Sequence, residues 1–127
     1  MNPKILIVDD SEPVRRTIRS LLRKVADEFH ECSDGDEAVD AYARFRPDWV
    51  VMDIEMERID GITATRWIVA DFPDAKIAIV TNYDEPALHK AAREAGARAY
   101  VLKEDLLALS RIVSDPRPKS KPRSPGG

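Results

Sequence analysis

Asp9 and Asp10 follow directly on the apolar run KILIV (residues 4–8), and Asp53 follows directly on WVVM (residues 49–52). Charged side chains are almost never fully buried unless something pairs with them. A carboxylate at the end of a buried run therefore calls for a partner. Two other apolar runs end in groups of a different kind. KIAIVT (residues 76–81) ends in Thr81, and RAYVL (residues 98–102) leads into Lys103. Three carboxylates in one place repel one another, and a divalent cation relieves that repulsion. Mg²⁺ takes oxygen ligands, typically one or two carboxylates with waters and phosphate oxygens. A lysine opposite can neutralise a phosphoryl group, and a threonine hydroxyl can donate to it. A carboxylate can also attack phosphorus and become an aspartyl phosphate. Such transfer needs mainly positioning and charge neutralisation, and this residue set supplies both.

Taken singly, the same residues have plainer roles. Asp9 or Asp10 would cap a helix, Lys103 would be a surface lysine, and Thr81 a β-branched strand residue. Glu55 and Glu57, in MDIEMERIDG (residues 52–61), would be solvated loop charges. The sharper reading depends on whether the strand ends share one rim.

The runs that carry these residues alternate with helical patterns. Short continuous apolar runs read as strands buried on both faces, as in parallel sheets. Strands are expected at 4–8, 29–33, 48–52, 76–81 and 98–102. Ser11 is a plausible N-cap with Pro13 in the first turn. Val14, Ile18, Leu21, Leu22 and Val25 then follow at helical spacing. Further helices are expected at 36–45, closed by Pro47, and at 61–72, closed by Pro73. Another is expected at 85–95, with Gly96 as its stop, and a short last one at 105–113. Asp34 and Gly35 read as a turn, and Asp60 and Gly61 as the turn into the third helix. Strand–helix alternation of this kind implies a parallel sheet with right-handed crossovers and helices on both faces. In such sheets ligands bind beyond the carboxyl ends of the strands, where the strand order reverses.

The bulk properties agree with one domain. The chain has 127 residues, 43% hydrophobic and 34% charged, with a net charge of −3. Residues 114–127 carry four cations against Asp115, which leaves −6 on residues 1–113. An acidic body is a poor non-specific ligand for nucleic acid. No apolar run approaches the roughly 20 residues that span a bilayer, and the N-terminus lacks a secretory pattern. The single cysteine, Cys32, leaves no internal disulfide and fits a reducing compartment. The expected location is the cytoplasm. The segment SDPRPKSKPRSPGG (residues 114–127) has no large apolar residue and is expected to be a disordered Pro-rich basic tail or linker.

Four motifs in order, ILIVDD, VVMDIEM with IDG after it, IAIVT and AYVLK, resemble the receiver domain of two-component response regulators (the CheY-like fold). KEDLLAL after the fifth strand resembles the NarL/FixJ branch. The resemblance covers residues 4–113 and implies a receiver domain over 1–113. It implies a doubly wound α/β fold, flavodoxin-like (βα)5, with a five-stranded parallel sheet in the order 2-1-3-4-5. Carried over by motif, Asp53 would be the phosphoacceptor. Asp10 would bind Mg²⁺ directly, Asp9 through water or in support, and Glu55 through its backbone carbonyl. Lys103 would pair with Asp53 and then with the phosphoryl group. Thr81 would swing its hydroxyl towards that group, and Tyr100 would be the aromatic switch, with α4-β5-α5 as the readout face.

The implied partner is a histidine kinase or phosphotransfer protein. A homodimer on phosphorylation is compatible with the family, and DNA would be reached only through an output domain absent from this chain. The domain would be a phosphoacceptor rather than an enzyme, although autodephosphorylation could accompany that role.

Several positions depart from the family pattern. Glu57 stands where many receivers have proline, which suggests a looser or differently turned loop after Asp53. Glu104 stands where a proline often follows the lysine. Asn82 is larger than usual and could crowd access to Asp53. These departures leave open an atypical receiver that is not phosphorylated and acts as a binding or dimerisation module. A haloacid dehalogenase-type phosphatase is disfavoured, because the first strand ends in DDSEP rather than DxDx(T/V). Trp49 and Trp67 are read as packing residues and Cys32 as a small buried apolar residue. His30 and His89, without metal-ligand spacing, are read as surface or semi-exposed.

Overall fold

The computed structural model describes residues 3–115. The expected tail at 114–127 lies outside the described residues apart from its first two positions. Of these, Ser114 is the last residue of the final helix. Five strands, β1 (Lys4–Val8), β2 (Glu28–Cys32), β3 (Trp49–Asp53), β4 (Ile77–Thr81) and β5 (Ala99–Leu102), alternate with five helices. The helices are α1 (Glu12–Leu22), α2 (Ala38–Phe45), α3 (Gly61–Asp71), α4 (Pro86–Ala95) and α5 (Leu107–Ser114). All strand pairs are parallel, and the sheet order is β2-β1-β3-β4-β5. The doubly wound fold and its strand order are as the sequence led us to expect.

Every residue of the central strands β3 and β4 is buried, and β1 is buried from Ile5 to Val8. Alternate side chains feed two cores, because successive strand residues point to opposite faces. Leu6, Val8, Val50, Met52, Ile77 and Ile79 pack with α2, α3 and α4. Ile5, Ile7, Val51, Val80 and Val101 pack with Ile18 and Leu22 of α1 and Leu109 and Val113 of α5. Burying each such side chain is worth about 1.5–3 kcal/mol, which makes the sheet a stiff frame for whatever its strand ends carry.

The helix boundaries follow local chemistry. Ser11 Oγ accepts from the Val14 amide at 3.3 Å and starts α1. Asp60 starts α3 by accepting from the Thr63 amide and hydroxyl at 2.8 and 2.9 Å. Gly96 ends α4 at φ 111°, where a Cβ would also meet Val69 Cγ2 at 2.8 Å.

Several boundaries differ from expectation by one to three residues, and three of them bear on the site. β3 runs one residue further than expected, so Asp53 is its last residue and sits opposite Val80. The stretch Gly35–Glu37 is a tight 3-10 turn before α2, because the Asp34 carboxylate takes the Asp36 amide and ends the regular pattern. A similar turn at Lys103–Asp105 delays α5. Trp49 is buried, as a packing residue should be, whereas Trp67 is 45% exposed and is not a core residue. Its helical position faces away from the sheet.

Candidate functional site

The parallel register brings the polar ends of β1, β3, β4 and β5 to one rim. Val8 lies opposite Met52, Asp53 opposite Val80, and Thr81 opposite Leu102. Asp9, Asp10, Thr81 and Lys103 therefore arrive around Asp53. A crevice of about 480 Å³ opens there, lined by Asp10, Asp53, Glu55, Thr81, Tyr83 and Lys103 among others.

Asp9 is 1% exposed and Asp53 6% exposed, while Asp10 is open to solvent. Lys103 Nζ lies 3.1 Å from Asp9 Oδ2 and 3.4 Å from Asp53 Oδ1. It thus bridges two strand ends rather than serving Asp53 alone. Asp9 is anchored on its other side. Its Oδ1 accepts from the Ser11 amide at 2.9 Å, and its carbonyl takes Arg15 Nη1 at 2.6 Å. The oxygen facing Lys103 is thereby held in place.

One ammonium does not balance three acids. Burial raises the Asp53 carboxyl to about 6, Asp9 adds to that, Lys103 opposes it and Asp10 adds again. Burial alone would lower the Lys103 ammonium, but Asp53 and Asp9 outweigh it and raise it. Carboxylate oxygens of Asp9, Asp10 and Asp53 all lie within 4.8 Å of one another. Hard oxygen donors with surplus negative charge fit a cation such as Mg²⁺.

The loop between β3 and α3 is pinned from behind. Asp34, 7% exposed, accepts from the Ile59 amide at 2.9 Å, the Arg58 amide at 2.9 Å and the Asp36 amide at 3.3 Å. A Cβ on Gly35 would stand 2.4 Å from the Ile59 carbonyl oxygen, so glycine permits this approach. A Cβ on Gly61 would stand 1.8 Å from the Asp53 carbonyl oxygen, and the Gly61 amide donates to Ile54 O at 2.8 Å. Asp34 thus holds the backbone amides that directly follow Glu57, the position where many receivers have proline. Asn82 also lines the crevice.

The structure also holds contacts that no sequence spacing signalled. The Glu55 carboxylate, expected to be solvated, accepts from the Tyr83 hydroxyl at 2.7 Å. Thr81 Oγ1 accepts from the Tyr83 amide at 3.2 Å. Tyr100 does not line the crevice. It lies half-buried in the next groove, donates to the Tyr83 carbonyl at 2.7 Å and stacks on His89 at 3.7 Å. His30 is exposed, and His89, partly exposed as expected, is engaged by Asp84 at 2.7 Å. The Cys32 thiol is buried and pushed up to about 12, first by burial and then by Glu37, which makes it inert. Among the described residues, no helix is long and apolar enough to cross a membrane.

Comparison with known proteins agrees with this geometry. A family model described as the response regulator receiver domain matches residues 5–113. The transcriptional regulatory protein DegU of Brevibacillus brevis is 32% identical over 114 residues, 87% of this chain and 48% of DegU. The chemotaxis protein CheY of Thermotoga maritima is 35% identical over 89% of this chain and 93% of that protein. A solved two-component response regulator of the LuxR family from Aurantimonas sp. SI85-9A1 superposes with a TM-score of 0.82. It is 33% identical, over 92% of this chain and 89% of that one. The chain spans about half the length of DegU and nearly the whole length of that CheY.

Proposed function

The chain belongs to the response regulator receiver domain family of two-component systems, and on that footing we propose that it accepts a phosphoryl group on Asp53 and thereby changes its partners. The observation that carries this reading is the cluster itself. A buried carboxylate ends the central strand, two further carboxylates lie within 4.8 Å, and a lysine sits at 3.4 Å.

Asp9, Asp10 and Asp53, with the backbone carbonyl of Glu55, would hold Mg²⁺, which when bound neutralises charge on phosphoryl oxygens. An Asp53 carboxylate oxygen attacks phosphorus, and a new O–P bond forms as the bond to the donor breaks. The donor keeps the electron pair: a histidine nitrogen takes up a proton as it leaves, and acetyl phosphate leaves as acetate. From a histidine kinase or phosphotransfer protein the broken bond is P–N, and from acetyl phosphate it is P–O. Lys103, already between Asp9 and Asp53, pairs with the phosphoryl oxygens. Thr81 turns its hydroxyl to them and Tyr100 follows. The face formed by α4, β5 and α5 is then the readout surface. In this reading residues 1–113 form the receiver unit, and it works in the cytoplasm.

Incubation of the folded chain with acetyl phosphate and Mg²⁺ is expected to add one phosphoryl group by intact mass, and Asp53→Ala is expected to abolish it. A folded wild-type chain that stays unmodified would sink the phosphoacceptor reading. It would favour the non-phosphorylated binding module instead.

A further inference from the structure

The groove bounded by α4, β5 and α5 carries acids that no cation of the described surface answers. It encloses about 650 Å³ and is lined by Asp84, Tyr100, Leu102, Glu104, Asp105 and Ile112 among others. Its floor is apolar, with Tyr100, Leu102 and Ile112 half-buried. Glu104 and Asp105 are exposed, and among the described residues neither carboxylate has an ion-pair or hydrogen-bond partner. Asp84 is held by His89 at 2.7 Å. A second groove, of about 430 Å³ along β2 and α2, is already balanced. There Glu31 pairs with Arg15 and Arg19, Asp40 pairs with Arg44, and Glu37 takes the Ser33 amide.

We propose that this groove is a docking surface for the chain's own basic segment, residues 116–123, with its cations set against Glu104, Asp105 and Asp84. The charges are complementary. Arg117, Lys119, Lys121 and Arg123 occupy alternate positions, and in an extended segment alternate residues share one side. Prolines at 116, 118 and 122 favour extended backbone at the residues before them. The segment also starts in the right place. It follows α5 directly, and α5 walls the groove through Ile112. From Ser114 back to Asp105 the helix rises about 14 Å, and five extended residues span about 16 Å, so Lys119 reaches the level of Asp105. Attachment makes the contact intramolecular, so weak exposed pairs suffice at an effective concentration on the order of millimolar. Tyr100 lines the same groove, so a seated segment covers the face to which the phosphoryl reading assigns partners. The docking itself does not rest on that reading.

The test is paramagnetic relaxation enhancement in the full chain with a nitroxide on Ser120→Cys. Cys32 is buried and its thiol is pushed up to about 12, so the label goes to position 120 alone. The amide signals of Asp84, Leu102, Glu104 and Asp105 are expected to lose most of their intensity, while those of His30, Cys32 and Asp40 in the balanced groove keep theirs. Signals of residues 111–115 fade by attachment alone and are not counted. The loss in the groove is expected to collapse in Lys119→Glu/Lys121→Glu, which leaves the folded domain untouched, and in Glu104→Lys/Asp105→Lys. Combining the two pairs is expected to bring it back, and high salt is expected to weaken it in the wild-type sequence. Losses spread evenly over the surface, centred on Asp10 and Asp53, or unmoved by either charge reversal overturn the proposal. Mixing spin-labelled chains with isotope-labelled chains that carry no spin label identifies the occupant. Loss in the spin-free chains shows a segment from a second copy in the groove and overturns docking within one chain.

Discussion

Asp34 and Asp53 are buried almost equally, at 7% and 6% exposure, yet their acidities move in opposite directions. Burial by itself would raise both. At Asp34 the amides of Ile59, Arg58, Asp36 and Gly35 overcome burial and hold the carboxyl below its usual range. At Asp53 the neighbours are mostly other acids, and Lys103 only partly answers them, so the carboxyl rises to about 6. A carboxylate surrounded by amide donors is satisfied and builds structure. One surrounded by acids is left with free charge to spend on a cation or on phosphorus. The two sites also cooperate, because the loop that Asp34 grips is the loop that follows Asp53.

Substitutions can break that contrast. The largest effect is expected at Asp34→Ala, which strands buried amides of the loop. It should cost about 3–4 kcal/mol in urea unfolding near neutral pH. The folded pKa of Asp34 lies below the unfolded value, so its contribution is present above about pH 4 and is lost as pH falls further. The wild-type and alanine curves should therefore converge in acid.

Gly61→Ala comes next. Its Cβ would collide with the Asp53 carbonyl, and the backbone shift should cost about 2–3 kcal/mol. Acetyl phosphate labelling should slow with it, because the displaced backbone carries the acceptor.

Asp53→Asn should have the opposite sign. The folded pKa, about 6, lies above the unfolded value of about 4. The carboxyl therefore favours folding only below about pH 4, and that advantage is lost as pH rises through 6. Asparagine avoids the cost of the buried charge. Without metal, a gain of roughly 1–3 kcal/mol is expected at pH 7.5, shrinking towards zero at pH 4. A destabilised Asn variant at pH 7.5 would show that Lys103 satisfies Asp53 after all.

The smallest effect belongs to Arg58→Ala. Its exposed guanidinium pairs with Asp36 at 2.8 Å, but its contribution to the Asp34 bracket is its backbone amide, which alanine keeps. Urea midpoints for this variant should hardly move. A large drop would show that the side chain, not the amide, holds the loop.

Sequence alone determined the alternation of elements, the sheet type and the identity of the residues at its rim. Apolar runs of strand length, broken by helical spacing and by Pro47, Pro73 and Gly96, are local signals, and each strand delivers its own last residue. Asp53 was readable in this way because a carboxylate after WVVM has no local excuse. The strand order itself came from family likeness, since pairing between distant runs leaves no mark within any one of them. Only the tertiary structure decided that Lys103 bridges Asp9 and Asp53, that Asp34 pins the loop past Glu57, and that Tyr83 ties Thr81, Glu55 and Tyr100 together. Those contacts join residues up to 94 positions apart, as between Asp9 and Lys103. A hydrogen bond depends on ångström-scale placement that periodicity does not encode. The kind of residue at each strand end is a property of the chain, but its partner is a property of the packed sheet.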